Sequence, residues 1–241
     1  MGRVTVAGGN PGMKAPVTGI LAQDIAVGSV VKLMEGGTAV EYLVVNQGIP
    51  SNSSLYDASC DGTWLLRKDI HSERQWNTSD VNIYETSAIN TWLNGDFFSS
   101  LGSVERASVK QVKIPYRRGG SGGSDQSGAN GLSCKVFLLS GYEVGWTTSD
   151  SSYFPVDGAK LDYFTASSYG DSKRIANLNG SADDWLLRSP YTDYTNRVWR
   201  VYSDGNYSNN YASSSYGIRP ALVLPSNALF DETTMLLKGA A

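Results

Sequence analysis

The stretch Tyr191–Gly217 reads YTDYTNRVWRVYSDGNYSNNYASSSYG and lies between the apolar segments WLLRSP (185–190) and GIRPALVL (217–224). It contains six Tyr, five Ser, four Asn and two Asp, and no Lys, Glu, Leu, Ile, Met, Pro, Phe or Cys. Because few of its side chains are apolar, it cannot be a core segment, whereas its flanks are typical of core strands. Tyr, Ser and Asn also dominate antibody-like binding surfaces, where Tyr supplies contact area at low entropic cost. The stretch therefore predicts a binding surface displayed on a rigid scaffold.

The middle of this stretch predicts a β-hairpin. Residues 197–202 and 207–212 flank Ser203-Asp204-Gly205-Asn206, and Asp-Gly is among the strongest short signals for a hairpin turn. Strand alternation places Trp199 with Val201 on one face and Arg200 with Tyr202 on the other. We expect the Trp face to point inward and the Arg/Tyr face to point outward.

The rest of the chain predicts an α+β fold of short strands, two short helices and long loops. Further strands are expected at 27–34 and 39–45 (a hairpin turning at Glu35-Gly36-Gly37), 64–67, 112–114, 135–139, 185–188 and 217–224. Pro220 indicates that the last strand begins there or lies at a sheet edge. Helices are expected at 87–93, capped by Thr86 or Ser87 and ending at Gly95, and at 103–110, capped by Ser103. The Gly/Ser-rich residues 119–131 predict a flexible surface loop.

Composition bounds the class of protein. The 241 residues are 41% hydrophobic and 18% charged with a net charge of −3, which fits one large domain, residues 23–241, preceded by an arm at 1–22. That arm is either a loose terminus or a docking segment. Without a basic face, nucleic acid is not an expected partner. Without an apolar run of about 18 residues or a signal-peptide core, we expect no membrane insertion and cytoplasmic synthesis.

Residues suited to catalysis or metal binding are few. His71 is the single histidine, so a zinc site or a Ser-His-Asp triad is not expected, and we expect its ring to be solvated. Asp183-Asp184 is interpreted as a loop cap, not a catalytic pair. Cys60 and Cys134 are expected to be buried free thiols, with a disulfide as the alternative. Five tryptophans are expected in the core: Trp64, Trp76, Trp92, Trp146 and Trp185. No catalytic residue, metal ligand or cofactor is predicted.

Several segments resemble a bacterial and phage family with a C-type lectin-like fold, which formylglycine-generating enzymes also use. The resemblance spans roughly residues 24–230 and is carried by TWLLRKDI (63–70), ETSAINTWLNGDFF (85–98), VKQVKIPYRRG (109–119), SGANGLSCKVFLLSGYEVGWT (127–147), KRIANLNGSADDW (173–185) and GIRPALVLPSNALF (217–230). Members of this family are often diversified by retroelements that mutate adenines near the 3′ end of the gene. The resemblance implies a receptor-binding protein, such as a phage tail tip or an adhesin.

The residue types in the stretch match such diversification. An AAC codon with its first two bases randomised encodes Asn, Ser, Thr, Tyr, Asp, Arg and some others, but never Trp, Lys, Glu, Gln or Met. Trp199 alone lies outside that set. Six positions are interpreted as a fixed frame: Val198, Trp199, Val201, Gly205, Ala212 and Gly217. Within the variable region 191–216 the expected ligand-binding residues are Tyr191, Asp193, Tyr194, Asn196, Arg197, Arg200, Tyr202, Ser203, Asp204, Asn206, Tyr207, Ser208, Asn209, Asn210, Tyr211, Ser213, Ser214, Ser215 and Tyr216.

The resemblance also implies the setting and leaves alternatives. The partner would be a host-surface protein or glycan, the assembly a homotrimer or part of a phage tail, and the location a virion if the gene is phage-encoded. The sugar-and-calcium motifs of true C-type lectins are absent from the sequence, and Cys60 and Cys134 match no nucleophilic cysteine pair. The alternatives are an enzyme related to the formylglycine-generating fold and a virion decoration domain that binds nothing.

Overall fold

The structure, a computed structural model, describes residues 4–6, 17–51, 53–165 and 170–240. The expected mixed α+β class is confirmed, because these residues form mainly short strands with a few short helices. The strands are β1 (Val4–Val6), β2 (Val17–Leu21), β3 (Val30–Glu35), β4 (Thr38–Gln47), β5 (Thr63–Arg67), β6 (Glu73–Gln75), β7 (Val112–Ile114), β8 (Tyr116–Arg117), β9 (Asp125–Gln126), β10 (Leu132–Cys134), β11 (Val136–Phe137), β12 (Ala176–Leu178), β13 (Ser181–Asp183), β14 (Trp185–Pro190), β15 (Arg197–Val201), β16 (Tyr207–Tyr211), β17 (Ser215–Gly217), β18 (Ala221–Leu224), β19 (Ala228–Phe230) and β20 (Leu237–Ala240).

The helices are α1 (Ala88–Trp92), α2 (Phe98–Ser100) and α3 (Ser103–Ser108), and a π-helical stretch, Leu93–Phe97, joins α1 to α2. Single 3-10 turns lie at Ala22–Asp24, Ser53–Leu55, Ala58–Cys60, Tyr84–Thr86, Gly128–Asn130 and Ser172–Arg174.

Two five-stranded sheets form the body of the described chain. The first has the strand order β11-β18-β5-β4-β3 and the second β16-β15-β14-β17-β6. β5 and β18 are buried along almost their whole length, because their sequences TWLLR and ALVL are nearly continuous apolar runs. The hairpin expected around Gly36 is confirmed as β3–β4. The strand after Pro220 is also confirmed, as β18.

The expected core tryptophans are confirmed with one exception. Trp64, Trp76, Trp146 and Trp185 are at most 1% exposed. Trp92 is half-buried instead, because it ends helix α1 near the surface, where the Arg74 guanidinium lies 4.0 Å from the centre of its ring.

Both helix predictions need correction at their ends. Ser87 caps α1 as expected, its Oγ accepting a hydrogen bond from Asn90 N, but the helical path continues beyond Gly95 to Ser100. The Asn94 side chain explains this, since its Oδ1 accepts from the backbone of Lys135 and Val136 and ties the extension to β11.

Helix α3 begins at Ser103 without a capping side chain, so the predicted Ser103 cap is wrong. The buried Glu105 in its first turn instead accepts a hydrogen bond from Met34 N (2.9 Å), which fastens α3 to β3.

The residues expected to form an N-terminal arm partly join a sheet. β1 and β2 belong to a four-stranded sheet of order β1-β2-β19-β20, in which Leu21 pairs with Leu229. Among residues 1–22, positions 1–3 and 7–16 lie outside the described residues. The described part of this segment is thus hydrogen-bonded to the C-terminal strands of the domain.

Candidate functional site

The stretch Tyr191–Gly217 forms the hairpin that its sequence predicts. β15 pairs antiparallel with β16 from Arg197↔Tyr211 to Val201↔Tyr207, and β14 pairs with the other side of β15. Asp204 closes the turn by accepting a hydrogen bond from Asn206 N (2.9 Å). Gly205 has φ +84°, and a Cβ there would lie 2.4 Å from Asp171 O, so the turn requires glycine.

All six expected frame positions are buried. Val198, Trp199, Val201 and Ala212 are at most 2% exposed, and the two glycines of the set are also buried. At Gly217, a Cβ would lie 2.5 Å from Asp184 O. The side chains that the sequence assigns to the frame are therefore those that the surrounding protein encloses.

Trp199 fastens the hairpin to a loop that sequence reasoning did not connect with it. Its ring stacks on Phe154 with centroids 4.0 Å apart, and its indole N–H donates to Tyr153 O. Trp146 also stacks on Phe154, with centroids 6.0 Å apart, and the Tyr207 hydroxyl donates to Asp150 O (2.9 Å). The scattered aromatic residues between 142 and 164 were the only sequence signal for this contact.

The structure separates the nineteen expected ligand-binding residues by exposure. Six are exposed: Asp193, Tyr194, Tyr202, Asp204, Tyr211 and Ser215. Twelve are half-buried: Tyr191, Asn196, Arg197, Ser203, Asn206, Tyr207, Ser208, Asn209, Asn210, Ser213, Ser214 and Tyr216. Arg200 alone is buried, at 8% exposed.

The expectation that Arg200 faces outward is therefore wrong. Its Nη1 lies 2.6 Å from Asp184 Oδ2, and its guanidinium lies 3.9 Å from the ring centre of Tyr216 and 4.9 Å from that of Tyr202. Trp199 and Arg200 do lie on opposite faces of the strand, as the alternation predicts. Asp184 and Tyr216 cover Arg200 on its own face, however, so Arg200 is enclosed while Tyr202 remains exposed.

The hairpin residues divide between the two faces of the sheet. Cross-strand pairing puts Arg197 and Tyr211 on the face of Trp199, and Ser208 and Asn210 on the face of Arg200. On the second face, the Asn210 amide donates to the Tyr216 hydroxyl. The structure thus does not bring all nineteen residues onto one continuous surface.

The first face carries a cluster of one arginine and four tyrosines that reaches the surface, which we call the Arg197 platform: Arg197, Tyr153, Tyr191, Tyr194 and Tyr211. The Arg197 guanidinium lies 5.5 Å from the ring centre of Tyr194 and 4.8 Å from that of Tyr211. Tyr191 stacks on Tyr153 at 4.7 Å and on Trp199 at 4.9 Å. Trp146, Phe154 and Trp199 form a buried column of stacked rings, which we call the aromatic column, and Tyr191 connects it to the platform at the surface.

Asn82 supports this platform and was missed by sequence reasoning. Its amide, 1% exposed, donates to Tyr194 O (2.8 Å) and Arg197 O (2.7 Å), and its Oδ1 accepts from Gly120 N. A Cβ on Gly120 would lie 1.8 Å from Tyr194 O. Gly120 thus packs tightly against the hairpin, so the interpretation of 119–131 as a flexible surface loop is wrong at this point.

A cavity of about 200 Å³ adjoins the platform and is lined by residues 80–83 and 119–123, Arg118 and Thr195. Val81 and Ile83 on its wall are 42% and 37% exposed.

A buried ionic cluster lies below the hairpin. Arg188 pairs with both carboxylate oxygens of Glu143 (2.5 and 2.7 Å) and donates to Asp157 O. Ser189 Oγ donates to Asp157 Oδ2, while Asp157 Oδ1 is buried and has no hydrogen-bond partner among the residues that the structure describes. Burial raises the pKa of Asp157 to about 7, although the positive charge of Arg188 opposes this shift.

His71 and Asp184, for which the sequence predicts no catalytic role, both contact neighbouring side chains or backbone. His71 is not simply solvated as expected, since Trp92 and Phe97 enclose its ring, and burial lowers its pKa. Its Nε2 lies 3.6 Å from Glu35 Oε1 and its Nδ1 2.8 Å from Ser72 Oγ. Asp184 caps a loop as expected, accepting from Ser203 N.

The expectation of buried free thiols is confirmed for Cys60 and Cys134. Burial raises the pKa of Cys60 to about 12 and that of Cys134 further. Within the described ranges, no three His, Cys, Asp or Glu side chains are grouped as metal ligands would be. The same residues include no helix with the length and apolarity needed to cross a membrane.

Comparison with known proteins identifies a family. The family model described as a domain of unknown function, DUF6273, matches residues 61–226. No curated protein and no solved structure matches the chain significantly. The match covers more than half of the chain and includes β5, β14–β18 and the whole hairpin. The chain belongs to the DUF6273 family.

Proposed function

We propose that this protein binds a ligand through the exposed residues of 191–216, and that the rest of the domain is the scaffold. The observation that carries the proposal is the separation of residues within one hairpin. The six frame positions are buried, whereas eighteen of the nineteen polar or aromatic positions reach the surface at least in part. A surface that is rich in Tyr, Ser and Asn and rigidly supported has the composition of a paratope.

The proposed fold is C-type lectin-like. Its support is the α+β class with short strands, two short helical units and long loops, together with the sequence segments that resemble that family. Since the sugar-and-calcium motifs of true C-type lectins are absent from the sequence, the proposed binding relies on side chains of 191–216 and on no cofactor.

The proposed origin of the surface is diversification by a retroelement. The residues of 191–217 other than Trp199 are all products of a randomised AAC codon, and Trp199 is buried in the aromatic column. A protein diversified in this way suits a phage tail tip or an adhesin that must follow a changing host-surface protein or glycan. Its location would be the virion if phage-encoded and otherwise the cytoplasm, and a homotrimer would add avidity.

Gene sequencing tests the diversification. Related isolates should differ mainly at adenine-derived codons between 191 and 216, while the codons of the frame positions stay constant. Variation spread evenly along the gene would contradict the proposal.

A binding assay tests the surface. Replacing Tyr194, Tyr202 and Tyr211 together by Ala removes three exposed rings and should abolish attachment to host cells, because aromatic anchors carry much of the energy of such contacts. The control is Val104→Ala, an exposed residue on α3. Unchanged attachment of the triple variant would favour a virion decoration domain instead.

The alternative of an enzyme related to the formylglycine-generating fold finds no support in the cysteines. A nucleophilic cysteine needs a lowered pKa, whereas burial raises the pKa of both Cys60 and Cys134. We therefore propose binding without catalysis.

A further inference from the structure

The two arginines of the hairpin differ in how their charge is balanced. Asp184 neutralises Arg200 inside the protein at 2.6 Å. Arg197 makes one side-chain hydrogen bond, from Nη1 to Asn209 Oδ1 (2.9 Å), and no carboxylate of the described residues lies within 4.0 Å of its guanidinium. Arg197 therefore holds a charge and N–H donors that the described part of the chain does not satisfy.

Two aromatic rings lie beside this charge. The ring centres of Tyr194 and Tyr211, which are 48% and 42% exposed, lie 5.5 and 4.8 Å from the guanidinium, and Tyr153, which stacks on Tyr191, is 39% exposed. The aliphatic residues of the hairpin, Val198 and Val201, are buried, so the hairpin offers a ligand rings, amides and hydroxyls.

The backbone beneath the charge is fixed before any ligand arrives. Arg197 O accepts from Asn82 Nδ2 (2.7 Å) and from Tyr191 N (2.9 Å). Tyr194 O accepts from Asn82 Nδ2 and from Ser121 N. A platform held in this way loses little conformational freedom on binding, which favours affinity.

We infer that the Arg197 platform binds a sugar that carries a carboxylate, an inference that rests on the proposed binding function. A guanidinium matches the two oxygens of a carboxylate with paired hydrogen bonds. The exposed faces of Tyr194 and Tyr211 can pack against the C–H face of a pyranose ring, while Asn209 and its neighbours can bind hydroxyl groups. Within the hairpin, this combination of a cation, flat rings and amides, with both valines buried, suits an acidic sugar better than an apolar protein surface.

NMR titration of the full chain labelled with ¹⁵N provides the test. The probes are the methyl glycosides of N-acetylneuraminic acid and glucuronic acid, each compared with its own carboxyl methyl ester. At least one acid should shift the Nε–Hε signal of Arg197 and bind at least about tenfold more tightly than its ester. Arg197→Gln should weaken binding of that acid by about tenfold, roughly the loss of one charged hydrogen bond.

The matched control is Arg74→Gln, since Arg74 is an exposed arginine that also lies over an aromatic ring, but in β6 at the opposite edge of the sheet. It should bind the acid like the unaltered protein. The inference is overturned if neither acid binds, if the esters bind equally well, or if Arg197→Gln retains affinity. The proposed function is tested separately, by attachment to host cells. If the triple Tyr→Ala variant abolishes attachment, the proposed function stands even where the acidic-sugar inference fails.

Discussion

Arg200 and Asp184 form an ion pair of 2.6 Å between β15 and the residue that precedes β14, with side chains only 9% and 13% exposed. Arg197, three residues earlier on the same strand, lacks such a pair among the described residues. Two arginines that a randomised codon explains equally well thus differ in environment, because one is enclosed with its counter-ion and the other reaches the surface.

The first prediction compares these two arginines. Arg200→Ser should lower the free energy of unfolding by about 2–3 kcal/mol, because it leaves Asp184 partly buried without its counter-ion. Arg197→Ser should lower it by less than about 1 kcal/mol, since only a hydrogen bond and exposed ring contacts are lost. Urea unfolding of both variants measures the difference. Equal effects would contradict the assignment of Arg200 to the scaffold. The same assignment implies that position 200 varies less than position 197 between gene copies.

The second prediction concerns Trp199. Trp199→Ala should cost about 3–5 kcal/mol, because it removes the ring that joins Phe154 to Tyr191 in the aromatic column. Tyr202→Ala, on the exposed end of the same hairpin, should cost less than about 1 kcal/mol. Thermal unfolding checks both values. If the two variants unfolded alike, Trp199 could not be the anchor of the hairpin.

Local sequence signals predicted the hairpin well. Asp-Gly between two alternating segments specifies the β15–β16 turn, and Trp199 is too large and apolar to be left in water. Burial of Trp199 and Val201 follows from the same alternation. These features depend on residues within a few positions of each other, which a single sequence contains in full.

Features that depend on distant contacts could not be predicted. Arg200 is enclosed because Asp184, just before β14, and Tyr216 on β17 approach it, and Asn82 supports the platform from more than a hundred residues away. Nothing near Asn82 in the sequence distinguishes it from a loop asparagine. The helix beyond Gly95 persists for a similar reason, since Asn94 is held by β11.

The third prediction tests the support beneath the platform. Gly120→Ala should destabilise the protein by several kcal/mol or displace residues 191–194, because its Cβ would meet the carbonyl oxygens of Tyr194 and Tyr191 at 1.8 and 2.2 Å. Gly95→Ala is the matched control, because that glycine is helical and nothing lies within 4 Å of a Cβ there. The control should be neutral or stabilising by up to about 1 kcal/mol. Calorimetry and the NMR signals of Tyr191 and Tyr194 give the readout. An undisturbed Gly120→Ala variant would show that the loop is not packed against the hairpin.

The fourth prediction concerns pH. Asp157 has a pKa of about 7 in the folded protein and about 3.9 when unfolded, so the folded state binds the extra proton between these values. The stabilisation from this proton is therefore fully present below about pH 4 and is lost as the pH rises to 7. The free energy of unfolding falls by at most about 4 kcal/mol over that range. Arg188, Glu143, Tyr56 and Ser189 face the same cluster.

Asp157→Asn isolates this contribution. The amide keeps an oxygen that can accept from Ser189 Oγ but cannot ionise, so the variant should lack the decline that Asp157 causes between pH 4 and 7. Urea unfolding of both proteins at pH 5, 6, 7 and 8 gives the difference curve, in which the other carboxylates cancel. That curve should rise in favour of the amide variant up to about pH 7 and then level off. A flat difference curve would mean that Asp157 stays ionised in the fold, held by Arg188 more strongly than burial opposes it.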